Sequence, residues 1–441
     1  MNSKKKFFVF LCGLYLLLPL VILHKSETPE FWQWSHLYLF LAIFYAAFVV
    51  LCTVLYLFFH QLGRNYCIFL IIFYFLSLLL VDFVIGSKNF YACTKMINHP
   101  LYHHQLLIGK HNLAVTDSTF KDHPYIMHVN AQGLRSTENV PYKKPPGHFR
   151  ILALGDSFTE GKGVNDDETF CYLVNRQLNQ TSNKEGATYE VLNSGVDSYA
   201  PLLEYLYLKT KGIKFEPDFV VMFYDMSDLI QTRRYLKNAD FDREGRVIRV
   251  RPQADSWSFQ LSTFMKSRFY FLSILYNSLN DKIFGDRARK EAAIGKPTKD
   301  SLKFSLSADQ TPWINDWQKV FNDIEATDVF CRERNIGFAV VIYPWGHQVN
   351  NVEWNIGRKQ YGIPVNYTAP AAVADMLVAK LNRRGIDTLN LFPVFRNYQG
   401  SERLYYRKDM HWRKEGHTLA AGHVTTFLKS LIEKKEEKKK R

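Results

Sequence analysis

Apolar positions are spread unevenly along the chain, and nearly all the long runs lie before residue 87. Phe7 to Leu23 follows Lys4-Lys5-Lys6, Leu37 to Phe59 holds no charge, and Tyr66 to Ile85 carries only Asp82. A bilayer core takes about 20 apolar residues per helix, so the second and third runs predict membrane spans and the first lies at the short limit. A lysine-rich start before an apolar run also fits a cleavable signal peptide. No small-residue cleavage signal precedes His24-Lys25-Ser26, however, and two further spans follow at once, which favours three retained helices. Lys4–Lys6 and Arg64 mark the cytoplasmic side, and the loop from Glu27 to Trp34, with its tryptophans, the opposite one. Three crossings then place everything after residue 87 outside the cytoplasm. No paired intramembrane charges mark a transport route, so residues 1–87 read as an anchor in the lipid bilayer.

Beyond residue 87 the pattern becomes that of a globular domain, expected over 88–433. Residues 88 to about 145 form a loop-rich approach, with a tight turn expected over His128–Arg135 and a turn cluster at Lys143–Gly147. Ile151–Leu154, Asp218–Tyr224 and Gly337–Tyr343 are short apolar runs of the kind buried in a parallel sheet, and Tyr189–Asn193 and Ile386–Phe392 read as further short strands. Helical spacing alternates with them over Thr169–Gln180, Pro201–Lys211, Trp313–Arg334, Pro370–Arg384 and Arg413–Glu433. That alternation predicts an α/β domain with helices on both faces. It lapses over residues 230 to about 310. There the apolar groupings of Gln260–Phe284 predict a helical insertion, either a lid or a helical pair packed on the core.

Composition narrows the function classes. The net charge of +14 has a contribution from the basic tail, residues 434–441, and no aromatic-interleaved basic motif or nucleic-acid module accompanies it. Nucleic acid is therefore not an expected partner. Six cysteines occur without a C-x-x-C pair, which gives no zinc or redox framework, and Cys171 and Cys331 read as unrelated buried thiols. His103-His104 and His347 lack partners at ligand spacing, so neither metal nor cofactor is expected. His347, on a strand-end loop, is a candidate for lining a cleft. His417 and His423, six apart, read as surface or packing residues.

The chemistry concentrates in Phe149–Val164, an apolar strand running into Gly155-Asp156-Ser157. Gly155 permits a tight turn, and Ser157 arrives at the strand's C-terminal end, where open α/β sheets place ligands. A serine nucleophile needs a base and the base an orienting group. In Asp409-Met410-His411-Trp412 the two polar residues lie two apart, on one side of an extended segment. Asp409 can thus orient the imidazole of His411.

These blocks resemble those of the SGNH/GDSL hydrolases over roughly residues 128 to 430, interrupted by the insertion. The match is carried by GDSFTEGKGV from Gly155, by Asn193-Ser194-Gly195, and by Asp409 to His417. The resemblance implies a flavodoxin-like parallel sheet flanked by helices (the SGNH hydrolase fold), preceded here by the three transmembrane helices. It implies Ser157 as nucleophile, His411 as base and Asp409 as its partner. The Ser157 and Gly195 N–H groups are the implied oxyanion donors. The family's third donor is an asparagine, and Ser227 stands in its place within Tyr224-Asp225-Met226-Ser227-Asp228, where the two aspartates read as loop braces. Asp-x-His rather than Asp-x-x-His is similar to branches that include envelope polysaccharide O-acetylation proteins. The expected activity is a membrane-anchored serine esterase or O-acyltransferase on an ester-bearing envelope glycan or lipid. The alternative is a catalytically impaired protein of the same fold that binds such a glycan or lipid.

Overall fold

The structure, a computed structural model, describes residues 43–51, 53, 72–84, 96–106, 113–115, 125–180, 188–252, 268–269 and 302–440. The chain divides into two compact units, Met1–Thr94 with Ala254–Arg289, and Lys95–Gln253 with Lys290–Arg441.

In the first unit, residues 43–51 and 72–84 are helical. Phe48 and Tyr74 pack ring to ring at 3.9 Å, and Phe83 meets Phe269 at 5.7 Å with the Arg268 guanidinium 5.8 Å from its ring centre. Among the described residues no helix is long and apolar enough to cross a membrane. The expected span Phe7–Leu23 lies outside the described residues, the other two are described in part, and of Gln260–Phe284 only Arg268 and Phe269 are described.

The second unit opens with two hairpins, β1 (Met96–His99) with β2 (His103–Leu106) and β3 (Leu113–Val115) with β4 (Tyr125–Met127). Its centre is a five-stranded sheet of β5 (His148–Leu154), β6 (Thr188–Asn193), β7 (Phe219–Tyr224), β10 (Gly337–Ile342) and β11 (Asp387–Asn390). The spatial order is β11-β10-β7-β5-β6, with every pairing parallel. This is the α/β sheet that the alternation predicts. β7 is buried at all six positions, which is why its sequence is apolar without a break.

Helices α1 (Ser157–Glu160), α2 (Phe170–Gln180), α3 (Pro201–Thr210), α4 (Asp228–Tyr235), α5 (Ile314–Arg332), α6 (Ala372–Arg383) and α7 (Lys414–Lys440) connect and cover these strands. On α2 the buried residues Phe170, Leu173, Val174 and Leu178 follow the spacing of one helical face. Helix α7 runs on through the stretch read as a basic tail, and Lys435 there donates to the carbonyls of Asp218 and Asn335. Cys171 and Cys331 are free, buried thiols.

Two features depart from the expected pattern. Where a helical insertion was expected from residue 230, the chain finishes α4 and then forms an antiparallel hairpin, β8 (Ala239–Phe241) with β9 (Val247–Val250). The turn explains it: Asp242 Oδ1 accepts the N–H groups of Glu244 and Arg246, and Gly245 takes a left-handed φ of 78°. The second feature is the free edge of β6. Side chains of α2 occupy its outward backbone groups: Asn175 Oδ1 accepts from Val191 N, and Asn179 both accepts from Tyr189 N and donates to Tyr189 O.

Candidate active site

Strand β5 ends in a turn that only glycine can make here. A Cβ on Gly155 would lie 2.1 Å from Thr159 Oγ1 and 2.8 Å from Thr159 Cβ. Asp156 then caps the short helix α1, its Oδ1 accepting from Phe158 N at 2.9 Å and from the Tyr343 hydroxyl at 3.0 Å. The turn delivers Ser157 at the C-terminal end of the central strands, with its side chain turned to His411. Ser157 Oγ lies 2.7 Å from His411 Nε2.

His411 comes from a loop closed on itself by the Tyr405–Trp412 bridge, with Tyr406 N donating to His411 O and Arg413 N to Leu404 O. Its Nδ1 is hydrogen-bonded to Asp409 Oδ1, which also accepts the His411 N–H at 2.9 Å. A carboxylate can only accept, so Nδ1 carries a proton and Nε2 is left to accept from the serine. Burial works to raise the Asp409 carboxyl. The neighbouring His411, its two hydrogen bonds and Lys162 outweigh that and hold it below the usual range. The imidazole rests against Phe158, ring centres 4.8 Å apart, and Trp412 meets Phe158 at 5.3 Å and Tyr343 at 4.9 Å. The three expected residues are therefore brought together, two of them in contact with the ring of the third.

The other two expected positions are used differently. Gly195 was read as an oxyanion donor, but its N–H is turned to Asn193 Oδ1 at 3.1 Å. What the position requires is space: a Cβ would stand 2.2 Å from Glu160 N and 2.6 Å from Thr159 C. Gly195 is thus the point at which the loop after β6 lies directly on α1. Ser227 was read as standing in for the asparagine donor. Its N–H is bound to Asp225 Oδ1 at 2.6 Å. Asp225 also accepts Trp345 Nε1 at 2.7 Å, and Asp228 Oδ2 accepts Asp225 N at 3.1 Å. The two aspartates brace the loop as expected, and in doing so they hold the backbone of Ser227.

Among the described residues, the N–H groups of Ser157 and Ser198 make no hydrogen bond. Ser198 has a left-handed φ of 67°, a conformation that costs a non-glycine residue energy and recurs at functional sites. Nothing in the sequence signals it, because serine has no bias toward that region.

Beneath the serine lies a buried acidic group of Asp156, Asp225, Asp228 and Glu204. Burial pushes each carboxyl up, and the charge of Asp225 adds to this at the other three. Asp225 accepts from Ser227 N and Trp345 Nε1, which favours its ionised form. The remaining histidines are structural. His347 is buried, and its Nε2 lies 3.0 Å from Ser305 Oγ, which itself donates to Leu302 O, so it does not line a cleft. His417 is buried, accepts Phe170 N through Nδ1 at 3.2 Å, and is held neutral at about 3 by burial, then by Arg135 and His411. Among the described residues no cluster of three His, Cys, Asp or Glu side chains could hold a metal ion.

A serine bonded to a carboxylate-oriented histidine at the carboxyl end of a parallel sheet defines a serine-hydrolase type of site. Residues 332–441 match the family model described as "ALGX: SGNH hydrolase-like domain, acetyltransferase AlgX". Over those residues the chain is therefore similar to an SGNH hydrolase-like domain. No curated protein matches the sequence. Among solved structures the chain is similar to a two-domain esterase (CEX) active on acetylated mannans, co-crystallised with mannopentaose. The identity is 14% over 64% of this chain and 49% of that one, TM-score 0.31. The chain thus spans about half the length of that esterase. TesA is 13% identical over 64% of this chain and 99% of its own, TM-score 0.32. A lipase/acylhydrolase from Enterococcus faecalis is 12% identical over 64% and 96%, TM-score 0.32.

Proposed function

We propose that this protein is a membrane-anchored serine esterase or O-acyltransferase that acts outside the cytoplasm on an ester-bearing envelope glycan or lipid. The observation that carries the chemistry is the 2.7 Å contact of Ser157 Oγ with His411 Nε2, with Asp409 on the far nitrogen. Ser157 Oγ attacks the ester carbonyl as His411 Nε2 takes its proton. The Ser157 N–H, unbonded among the described residues, is available to the oxyanion. Collapse of the tetrahedral intermediate breaks the ester bond, and His411 returns the proton to the departing alkoxide. Water or a sugar hydroxyl then attacks the acyl-enzyme, gives its proton to His411 and releases Ser157. The placement outside the cytoplasm rests on the three apolar runs and their flanking lysines and arginine. An ester-bearing glycan fits the acetyltransferase description of the matching family model and the mannan esterase among the similar structures.

A second reading, a binding protein of the same fold with little turnover, has one observation in its favour. Ser227 stands where the family's asparagine donor is expected, and its N–H is taken by Asp225 Oδ1 at 2.6 Å. A fluorophosphonate and a small acetyl ester separate the two readings. The enzyme gives a covalent adduct on Ser157 by intact mass and turnover that His411→Ala abolishes. Absence of both in folded wild-type protein would overturn the proposal in favour of the binding reading.

A further inference from the structure

The loop after β6 is held from outside the site by the first hairpin. His104 on β2 is 7% exposed, and its Nε2 lies 2.7 Å from the carbonyl oxygen of Asp197. A carbonyl only accepts, so Nε2 carries the proton. The Nδ1 of His104 meets His103 Nδ1 at 2.8 Å. Burial, then His104 and Arg234, hold His103 neutral, at about 3. Tyr199 donates its hydroxyl to His104 O at 2.6 Å, and Tyr235 donates to Ser198 O at 2.6 Å.

The carbonyl that His104 grips belongs to the same peptide group as the Ser198 N–H. No peptide bond among the described residues is cis, so that N–H points opposite to the carbonyl, away from His104. The loop it sits on runs along the nucleophile turn: Ser194 N donates to Ala153 O, Val196 N to Gly155 O, and Asp197 N to Glu160 Oε2. Lys162, which pairs with Asp197 at 3.3 Å, also acts on the Asp409 carboxyl. A hydrogen bond donated to a peptide carbonyl also polarises the amide and strengthens its N–H as a donor. We infer that His104 is a positioning residue that fixes and polarises the Ser198 peptide so that its N–H serves the oxyanion of the acyl-transfer step. The inference rests on the hydrolase reading above, and it supplies the donor that Gly195 does not.

The test uses the full chain with a small acetyl ester, comparing wild type, His104→Leu and His104→Gln for kcat, KM and melting midpoint. A donor used only in the transition state moves kcat and leaves KM. Loosening one donor is expected to lower kcat about 10–100-fold in His104→Leu, below the full 10²–10³ of a lost donor. His104→Gln, whose amide can still donate to Asp197 O, should restore most of it. Wild-type kcat in the leucine variant, a loss confined to KM, or a loss that glutamine fails to repair overturns the inference. Wild-type protein without turnover and without a Ser157 adduct overturns the hydrolase reading, and the inference with it.

Discussion

Replacing Gly195 by alanine separates two roles for this residue. If the position mattered for its N–H, alanine would keep the donor and change little. The structure assigns the constraint to contact instead. The added Cβ meets Glu160 N at 2.2 Å, Thr159 C at 2.6 Å and Thr159 Cβ at 2.8 Å. Two of these are backbone atoms, which cannot rotate aside, so loop and helix must part by roughly 1 Å. Overpacking of this kind costs about 1–3 kcal/mol. Parting also strains Asn193, whose Nδ2 donates to Thr159 O at 2.8 Å while its Oδ1 holds the Gly195 N–H, at about 1 kcal/mol per bond. A total of about 3–5 kcal/mol lowers the melting midpoint by roughly 6–10 °C for a domain of this size. Ser157 begins the displaced helix, and a 1 Å misplacement costs on the order of 10²-fold in rate. Differential scanning fluorimetry and ester turnover per folded molecule measure both effects. A variant within 1 °C and twofold of wild type, within about the error of such assays, would refute the close-contact argument.

Two further substitutions probe the base and the buried imidazoles. Asp409→Asn keeps the shape but can present an N–H to His411 Nδ1, which favours the wrong tautomer; kcat should fall about 10³–10⁴-fold with KM little changed. An asparagine variant within tenfold of wild type would remove Asp409 from the mechanism. His417 titrates at about 3 in the fold against an ordinary 6.5. Between those values the unfolded chain binds the extra proton, so stability rises with pH across that window and is fully present above it. His417→Gln should flatten the acid limb by up to about 1.4 kcal/mol per pH unit in denaturant melts between roughly pH 4.5 and 6.5. An unchanged slope would refute the neutral burial of His417.

The sequence made legible those features that depend on one residue type at one place. The uninterrupted apolar run of Phe219–Tyr224 could only be a strand covered on both faces, and it is. Ser157 was findable from the Gly-Asp-Ser turn, and His411 from its spacing to Asp409 and its place before the last helix. The oxyanion side was not legible, because it depends on where N–H groups point. Gly195 is as easily a contact point as a donor, and the Asp225 carboxylate that holds the Ser227 N–H is visible only once Trp345 lies against it. The hairpin at Ala239–Val250 was missed for a similar reason. Its register depends on Asp242 accepting from Glu244 and Arg246, a local turn bond with no counterpart in apolar periodicity.

The asparagine caps on β6 have a consequence for assembly. An exposed edge strand ordinarily offers its peptide groups to any extended chain, including a second copy of itself. Here Asn175 and Asn179 consume those offers at Tyr189 and Val191 from within the same chain. The sheet is closed to growth at this end without a proline or a charge on the strand at those positions. Self-association through this edge would first have to displace two side-chain amides already seated in the hydrogen-bonding positions that an incoming strand would need.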